Sequence, residues 1–231
     1  SLKLIIEFCH FWFGVSFMDL LIKNGKVVWP DVTLETDLAI DTGKIIGIGN
    51  RDVFPKADRV VDAGGNFVVP GGIDPHVHMH VGFMGATTLD EFDTGTMAAA
   101  IGGTTTVIDF AFQEKGKLPI EAIEARRKEA DGKVCIDYTL HSNLIEGSDA
   151  SVAQIPKIIE MGIPSFKFFM VYRKEELMID DGNLVPIMEE IKKHGGLAGC
   201  HTENVSMIEF LQEQAIKKGN VSPIYHALTR P

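Results

Sequence analysis

The chain has 231 residues, 45% of them hydrophobic, which is enough apolar material for a sizeable core in one large or two smaller domains. The formal net charge of −10 at pH 7, without a run of Lys or Arg, argues against a nucleic-acid or membrane surface as the partner. Three widely spaced cysteines form neither a disulfide framework nor a CxxC zinc knuckle, which favours a cytoplasmic protein. We therefore expect the partners to be small molecules or copies of the chain itself.

Residues 1–17 form a strongly apolar stretch that is too short to span a membrane and lacks an Ala-x-Ala-like cleavage site. Strand patterning begins only at Asp19. We interpret the stretch as an extension ahead of a natural start at Met18, with a signal peptide as the alternative, and we exclude Cys9 and His10 from the candidate ligands.

Residues 18–67 consist of short β-favouring runs separated by turn residues, with no helical period. Asn24-Gly25 predicts a hairpin, Asp41-Thr42-Gly43 a second turn, and Ala63-Gly64-Gly65 a third. About fifty residues of strands leave open edges. We therefore expect a small β-sandwich lobe that needs strands from elsewhere to close it.

Residues 68–231 belong to a second domain in which apolar, β-rich runs alternate with helical segments. Five β-α units follow one another, and strands that are apolar on both faces predict a parallel sheet covered by helices. The predicted strand and helix pairs are residues 67–76 with 91–101, 104–110 with 119–130, 134–140 with 150–161, 163–170 with 184–194, and 197–201 with 205–218. Glycines follow where these helices should stop.

Two α/β architectures fit this pattern, a doubly wound open sheet and a (β/α)8 TIM-type barrel. No Gly-x-Gly-x-x-Gly or phosphate-binding loop follows any of the strands, so a nucleotide site on an open sheet is unsupported. Histidines and a lysine lie instead at the ends of several strands, and only a barrel brings all of these ends around one mouth. A full barrel commonly takes about 250 residues. We therefore predict a truncated barrel of about five of the eight units.

The most informative stretch ends the first of these strands, where an apolar run leads to His76 and His78. Alternate residues of an extended strand point the same way, so both imidazoles could bind one ion. Histidine is the commonest metal ligand and suits zinc, but two ligands leave a metal site incomplete. An incidental pair is the alternative. The remaining histidines of this part of the chain are not assigned as ligands: His80, His141, His194 and His226.

Two other strand ends carry candidate partners. Lys167 interrupts the apolar strand Ser165–Met170, and a buried ammonium tends to lose its proton or to acquire an anion. A neutral amine could form a Schiff base or a carbamate that bridges metals, whereas a lysine that reaches solvent is the alternative. His201 could be a third imidazole at the same mouth or a hydrogen-bonded residue in a capping loop, with Thr202 or Asn204 as the N-cap.

Several separated motifs resemble those of the amidohydrolase superfamily and, within it, the dihydropyrimidinase and hydantoinase group. The likeness extends over about residues 18–231 in the order that the family shows. The motifs that carry it are Pro70-Gly71-Gly72-Ile73-Asp74-Pro75-His76-Val77-His78, Thr94-Gly95-Thr96, Gly102-Gly103-Thr104-Thr105, Ser165-Phe166-Lys167-Phe168-Phe169-Met170-Val171-Tyr172, His201-Thr202-Glu203-Asn204 and Tyr225-His226-Ala227-Leu228-Thr229-Arg230-Pro231.

This resemblance implies a metal-dependent cyclic amidohydrolase that opens dihydropyrimidines or hydantoins to N-carbamoyl amino acids with a hydroxide shared by two metal ions. The ions would be Zn²⁺, with His76 and His78 on one, His201 on the other, and a carboxylated Lys167 bridging both. Tyr172 would donate a hydrogen bond to the developing oxyanion. In the family, a further histidine ligand and the proton-shuttling aspartate lie beyond the position of residue 231. The segment alone should therefore be inactive, and the complete protein a cytoplasmic homotetramer.

Two other functions stay open. An allantoinase or a dihydroorotase would share the barrel and the metals. A non-catalytic scaffold, like the neuronal collapsin-response relatives, would share the fold but lack the metal-binding residues. The presence of His76, His78, Lys167 and His201 argues against the scaffold.

Overall fold

The computed structural model describes residues 17–83 and 85–231. The chain divides into two compact units between Pro70 and Gly71, whereas the sequence placed the domain boundary between residues 67 and 68. Residues 1–16 of the predicted extension lie outside the described residues, and the first strand begins at Phe17. Within the described part, no helix is both long enough and apolar enough to cross a membrane.

The first unit contains a mixed sheet whose described strands form one layer. The strands are β1 (Phe17–Val28), β2 (Thr33–Asp41), β3 (Lys44–Gly49), β4 (Lys56–Asp62) and β5 (Phe67–Val68). Strand β1 pairs antiparallel with β2 on one side and parallel with β4 and then β5 on the other, and β3 pairs antiparallel with β2. A single turn of 3-10 helix, Arg51–Val53, precedes β4. Met18, Leu21 and Ala39 form a small core.

The predicted turn between β2 and β3 is confirmed. Asp41 pairs with Lys44, so only two residues connect the strands. Thr42 and Gly43 have φ angles of 48° and 73°. Positive φ at both central residues is what a type I′ turn requires, and this turn matches the right-handed twist of the two strands.

The hairpin predicted at Asn24-Gly25 is wrong. Asn24 has a positive φ of 55°, but β1 continues through it, and the register with β2 shifts there as in a β-bulge. The Asn24 N–H donates to Asp37 at 2.7 Å, and its side-chain amide donates to Asp62 at 3.0 Å. These bonds tie the bulge to the strands on both sides, so the chain stays extended instead of reversing.

The second unit is built on a curled parallel sheet whose five strands follow their order in the chain. They are β6 (Gly72–Asp74), β9 (Thr104–Phe112), β10 (Asp137–Asn143), β11 (Ser165–Phe169) and β12 (Leu197–His201), and β7 (Gly82–Phe83) and β8 (Ala86–Thr87) form a separate hairpin. Sequential order lacks the reversal that defines a doubly wound sheet. The predicted α/β class with a parallel sheet is confirmed.

Helices connect these strands. They are α1 (Phe92–Ile101), α2 (Pro119–Ala130), α3 (Asp149–Val152), α4 (Ile155–Glu160), α5 (Asp181–Lys193), α6 (Val205–Lys217) and α7 (Ile224–Leu228). The single helix predicted over residues 150–161 is instead α3 and α4. Pro156 lies in the first turn of α4 and has no N–H to continue the preceding helix.

Two strand predictions also need correction. The strand predicted over residues 67–76 is split into β5, which pairs with β1, and β6, which pairs with β9, and Pro70 lies between them. The strand predicted over residues 134–140 lies three residues later, as β10.

The main core of the unit is formed by side chains from one face of the sheet and from the helices. Its buried members are Ala111, Ile123, Leu140, Leu144, Ile155, Ile158, Ile163, Phe166, Phe168, Ile179, Leu184, Ile187 and Ile191.

Candidate metal centre

All five site residues that the sequence analysis selected line one cavity of about 290 Å³ in the second unit. They are His76, His78, Lys167, Tyr172 and His201. The rest of the wall is largely apolar and consists of Val81, Thr88, Phe110, Phe112 and Phe169. A mostly apolar pocket with a few convergent polar groups is typical of a small-molecule site.

Lys167 reaches the cavity because side chains alternate along β11. Phe166 and Phe168 are buried in the core, so Lys167 and Phe169 lie on the opposite face of the sheet. The Lys167 Nζ lies 5.2 Å from the centroid of the Phe169 ring. Burial lowers the pKa of the Lys167 amine below its ordinary value. The surroundings therefore favour the neutral amine, which is a nucleophile.

His76 and His78 lie side by side after β6. Their ring centroids are 5.1 Å apart, and both rings pack on Phe110 at 4.6 and 4.7 Å. Burial lowers the pKa of both imidazoles. The positive charge of Lys167 also lowers the pKa of His76, and the positive charge of His76 also lowers the pKa of His78. Neutral imidazoles keep the lone pairs that a metal ion needs.

A buried ion pair fixes the backbone directly after His78. Arg126 Nη2 lies 2.9 Å from Asp109 Oδ1, and the two side chains are 8% and 0% exposed. The Met79 N–H donates to Asp109 Oδ2 at 2.9 Å, while its carbonyl accepts from Arg126. Both backbone groups of Met79 are therefore held, which restricts the direction of the His78 side chain. This pair was not predicted from the sequence, although a carboxylate inside the apolar strand β9 is a signal of the same kind as Lys167.

His141 connects two strands that carry candidate ligands. Its Nε2 lies 2.8 Å from the Pro75 carbonyl, which can only accept, so Nε2 carries the proton. Its Nδ1, 2.7 Å from Ser165 Oγ, then accepts from that hydroxyl. Pro75 precedes His76, and Ser165 lies two residues before Lys167, so the His141 ring ties the backbone near one candidate ligand to the strand of another.

Tyr172 and His201 are neighbours in the cavity wall, with ring centroids 5.8 Å apart. Tyr172 has a φ of 65°, a left-handed conformation that is strained for a bulky residue and that tends to occur at functional sites. Burial, and then the charge of Glu203, raises the pKa of the Tyr172 phenol. The O–H therefore stays protonated at neutral pH and can donate a hydrogen bond.

The candidate ligands comprise the pair His76 and His78, the single imidazole of His201, and the amine of Lys167. Within the described residues, no three His, Cys, Asp or Glu side chains come close enough together to hold a metal ion. A complete metal site at this cavity therefore needs an anionic ligand made from Lys167 or further ligands from elsewhere.

Comparison with known proteins gives one consistent result. Residues 67–222 match the amidohydrolase family. The chain is 46% identical over 215 residues to D-hydantoinase of Geobacillus stearothermophilus, with 93% of the chain and 45% of that protein covered. It is 39% identical over 218 residues to dihydropyrimidinase of Rattus norvegicus, with 92% and 42% covered. A solved D-hydantoinase structure superposes with a TM-score of 0.88 at 40% identity and covers 93% of this chain and 46% of its own. The chain thus spans about half the length of these relatives.

Proposed function

The chain belongs to the amidohydrolase family, and from that premise we propose that the complete protein is a metal-dependent hydrolase of cyclic amides. The substrates are dihydropyrimidines or hydantoins, which are opened to N-carbamoyl amino acids. The relatives named D-hydantoinase and dihydropyrimidinase support this substrate class. The observation that carries the proposal is the single cavity lined by His76, His78, Lys167, Tyr172 and His201.

The second unit, in this proposal, supplies about five of the eight units of a (β/α)8 barrel, and the first unit supplies part of a β-sandwich. The sequential order of the parallel strands supports the barrel. Exposed apolar side chains in the first unit support a second layer of strands: Ile45 and Ile46 are each 55% exposed, and Val60 is 52% exposed. Single exposed apolar residues are ordinary, but several on one small sheet favour a covering partner.

The proposed cofactor is a pair of divalent ions, with Zn²⁺ as the metal. His76 and His78 would hold one ion, and His201 would hold the other. A carboxylated Lys167 would be a ligand of both ions. Bound there, such a pair supplies an activated water and polarises the amide carbonyl. The donor set is suitable because burial lowers the pKa of the His76 and His78 imidazoles and of the Lys167 amine, which favours lone pairs for a metal ion and the amine form that reacts with carbon dioxide.

Asn143 provides separate support for a modified lysine. It is the register partner of Lys167 in the neighbouring strand, so both side chains lie on the same face of the sheet. The Asn143 side chain is buried, and neither of its amide atoms has a hydrogen-bond partner among the described residues. A buried unpaired amide is costly. A carboxyl group on Lys167 would bring acceptor oxygens to this face.

The chain's own residues perform three tasks in the proposed reaction. The Tyr172 hydroxyl donates a hydrogen bond to the carbonyl oxygen as negative charge develops on it. Phe110, Phe112 and Phe169 exclude water from most of the wall. The cavity of about 290 Å³ is just below the usual range for small-molecule pockets, about 300–1,000 Å³, and therefore suits a single small ring.

The test is ring opening by the full-length protein on a panel of 5,6-dihydrouracil, hydantoin, allantoin and dihydroorotate. We expect turnover of the first two. Lys167→Ala should abolish it, and short carboxylic acids should partly restore it because they replace the missing carboxylate. Lys193→Ala, at a side chain that is 67% exposed on α5, is the matched control and should change nothing. Unchanged activity in Lys167→Ala would contradict the role of this lysine.

The same panel separates the alternatives. Turnover of allantoin or dihydroorotate in place of the first two substrates would favour those enzymes, and a metal-free protein that opens none of the four rings would favour a scaffold. The proposal also includes a cytoplasmic homotetramer without nucleic-acid or membrane partners. Light scattering on the full-length protein tests the tetramer.

A further inference from the structure

Glu203 joins a candidate metal ligand to the C-terminal segment of the chain. Its Oε2 lies 2.9 Å from Nε2 of His201, and its Oε1 lies 3.2 Å from Nε of Arg230. Arg230 also donates from Nη1 to the His226 carbonyl at 2.9 Å. A hydrogen bond from Arg230 to the His226 carbonyl, an ion pair between Arg230 and Glu203, and a hydrogen bond between Glu203 and His201 therefore connect the end of α7 to an imidazole in the cavity wall.

The carboxylate of Glu203 determines which nitrogen of His201 is free. A carboxylate can only accept hydrogen bonds, so the proton of the neutral His201 ring must be on Nε2. The lone pair is then on Nδ1, and Nδ1 is the nitrogen that can bind a metal. A carboxylate on the opposite nitrogen also fixes the orientation of the ring and makes it a better ligand.

The local structure holds Glu203 in place from both sides. It lies between the end of β12 at His201 and Asn204, the N-cap of α6, whose Oδ1 accepts from the Met207 N–H at 3.1 Å. This confirms one of the two N-caps that the sequence predicted. Arg230 then occupies the second carboxylate oxygen. Its guanidinium is always charged and has a rigid geometry, so it limits rotation of the carboxylate.

We infer that Glu203 and Arg230 are positioning residues for His201. Glu203 selects the tautomer that leaves Nδ1 free, and Arg230 keeps the Glu203 carboxylate in the orientation that this requires. The inference rests on the proposed function, because it needs His201 to be a metal ligand. It also assigns a role to the segment Tyr225–Pro231, which the proposed reaction does not use.

The test measures zinc affinity in the full-length protein by competition with a chelator, with bound metal counted by mass spectrometry. Glu203→Gln should weaken the binding of one of the two ions by about 10- to 100-fold. Arg230→Lys keeps the positive charge but not the planar guanidinium group, and it should cause a smaller loss of zinc affinity. The matched control is Glu190→Gln, which alters a Glu–His pair of the same 2.9 Å length on α5, between Glu190 and His194. The control should leave both affinities unchanged.

A different result is expected if Glu203 only stabilises the fold. Glu203→Gln would then lower the thermal midpoint of the metal-free protein but leave zinc affinity at the level of the parent, and this result would overturn the inference. The visible absorption spectrum of the Co²⁺-loaded protein gives a second readout, which should change in Glu203→Gln and not in Glu190→Gln.

His201→Ala separates this inference from the proposed function. If His201→Ala loses a metal ion and Glu203→Gln does not, the positioning role is wrong and the proposed site stands. If His201→Ala keeps both ions at the affinity of the parent, His201 is not a ligand, and the proposed site and the positioning role are both wrong.

Discussion

Replacing Arg126 by Met tests whether the buried ion pair with Asp109 stabilises the turn that carries the first two candidate ligands. Asp109 is fully buried, and the Arg126 side chain is 8% exposed. The variant leaves a carboxylate in the interior with the N–H groups of Met79 and Phe110 as its remaining partners. Removing one member of a buried pair costs about 3–5 kcal/mol. Because two backbone bonds remain, we expect about 3 kcal/mol, or about 100-fold in the folding equilibrium.

Urea unfolding of the full-length, metal-free protein, followed by circular dichroism, measures this loss. Lys217→Met is the control, since it breaks a surface pair with Glu213 whose side chains are 61% and 60% exposed, and it should cost at most about 0.5 kcal/mol. Adding Asp109→Leu to Arg126→Met should cost less than the sum of the two single changes, because no unpaired charge remains.

Hydrogen exchange adds a local measurement. The Met79 amide donates to Asp109, and it should exchange faster in Arg126→Met than in the parent, because the carboxylate that accepts from it is no longer held. The ion pair does not stabilise the turn if Arg126→Met is no less stable than Lys217→Met and the Met79 amide stays protected. The turn would then be held by other contacts.

Two further predictions concern the first unit. Thr42 has a φ of 48°, which Asn tolerates better than a β-branched residue, so Thr42→Asn should raise the unfolding free energy by about 1 kcal/mol; a thermal melt that shows no gain contradicts this. The pKa of Asp62 is lowered from 3.8 to about 2, first by the hydrogen bond from Asn24 and then by that from Gly64. Its stabilisation is therefore complete above 3.8 and is lost as the pH falls toward 2. Asn24→Gly should move the Asp62 pKa upward in an NMR titration, and an unchanged value would exclude the Asn24 bond as the main cause.

The succession of strands and helices in the second unit could be predicted because buried parallel strands are continuous apolar runs and because Gly and Pro mark helix ends. Helix α2 and strand β12 have the predicted bounds, Pro119–Ala130 and Leu197–His201. The prediction failed at Asn24, where two carboxylates distant in the sequence hold a bulge. Asn-Gly is a local hairpin signal, and no local signal reveals such partners.

The candidate site was predictable to the extent that its residues interrupt apolar strands or end them. Lys167 is conspicuous in the sequence for this reason, and Asp109 could have been found in the same way. The ion-pair partners of the carboxylates near the site could not be predicted from the sequence. Arg126 lies 17 residues after Asp109 on α2, and Arg230 is separated from Glu203 by the whole of α6. The first pairing depends on how α2 is turned against the sheet, and the second on where the chain lies after α7. Strand periodicity reveals neither.

The metal content of the full-length protein is a direct test of the proposed two-metal site. Elemental analysis of the purified protein and of Lys167→Ala, both prepared with zinc, measures ions bound per chain. We expect two zinc ions in the parent and the loss of at least one in Lys167→Ala. A parent protein that binds no metal, or a Lys167→Ala variant that keeps both ions, would contradict it.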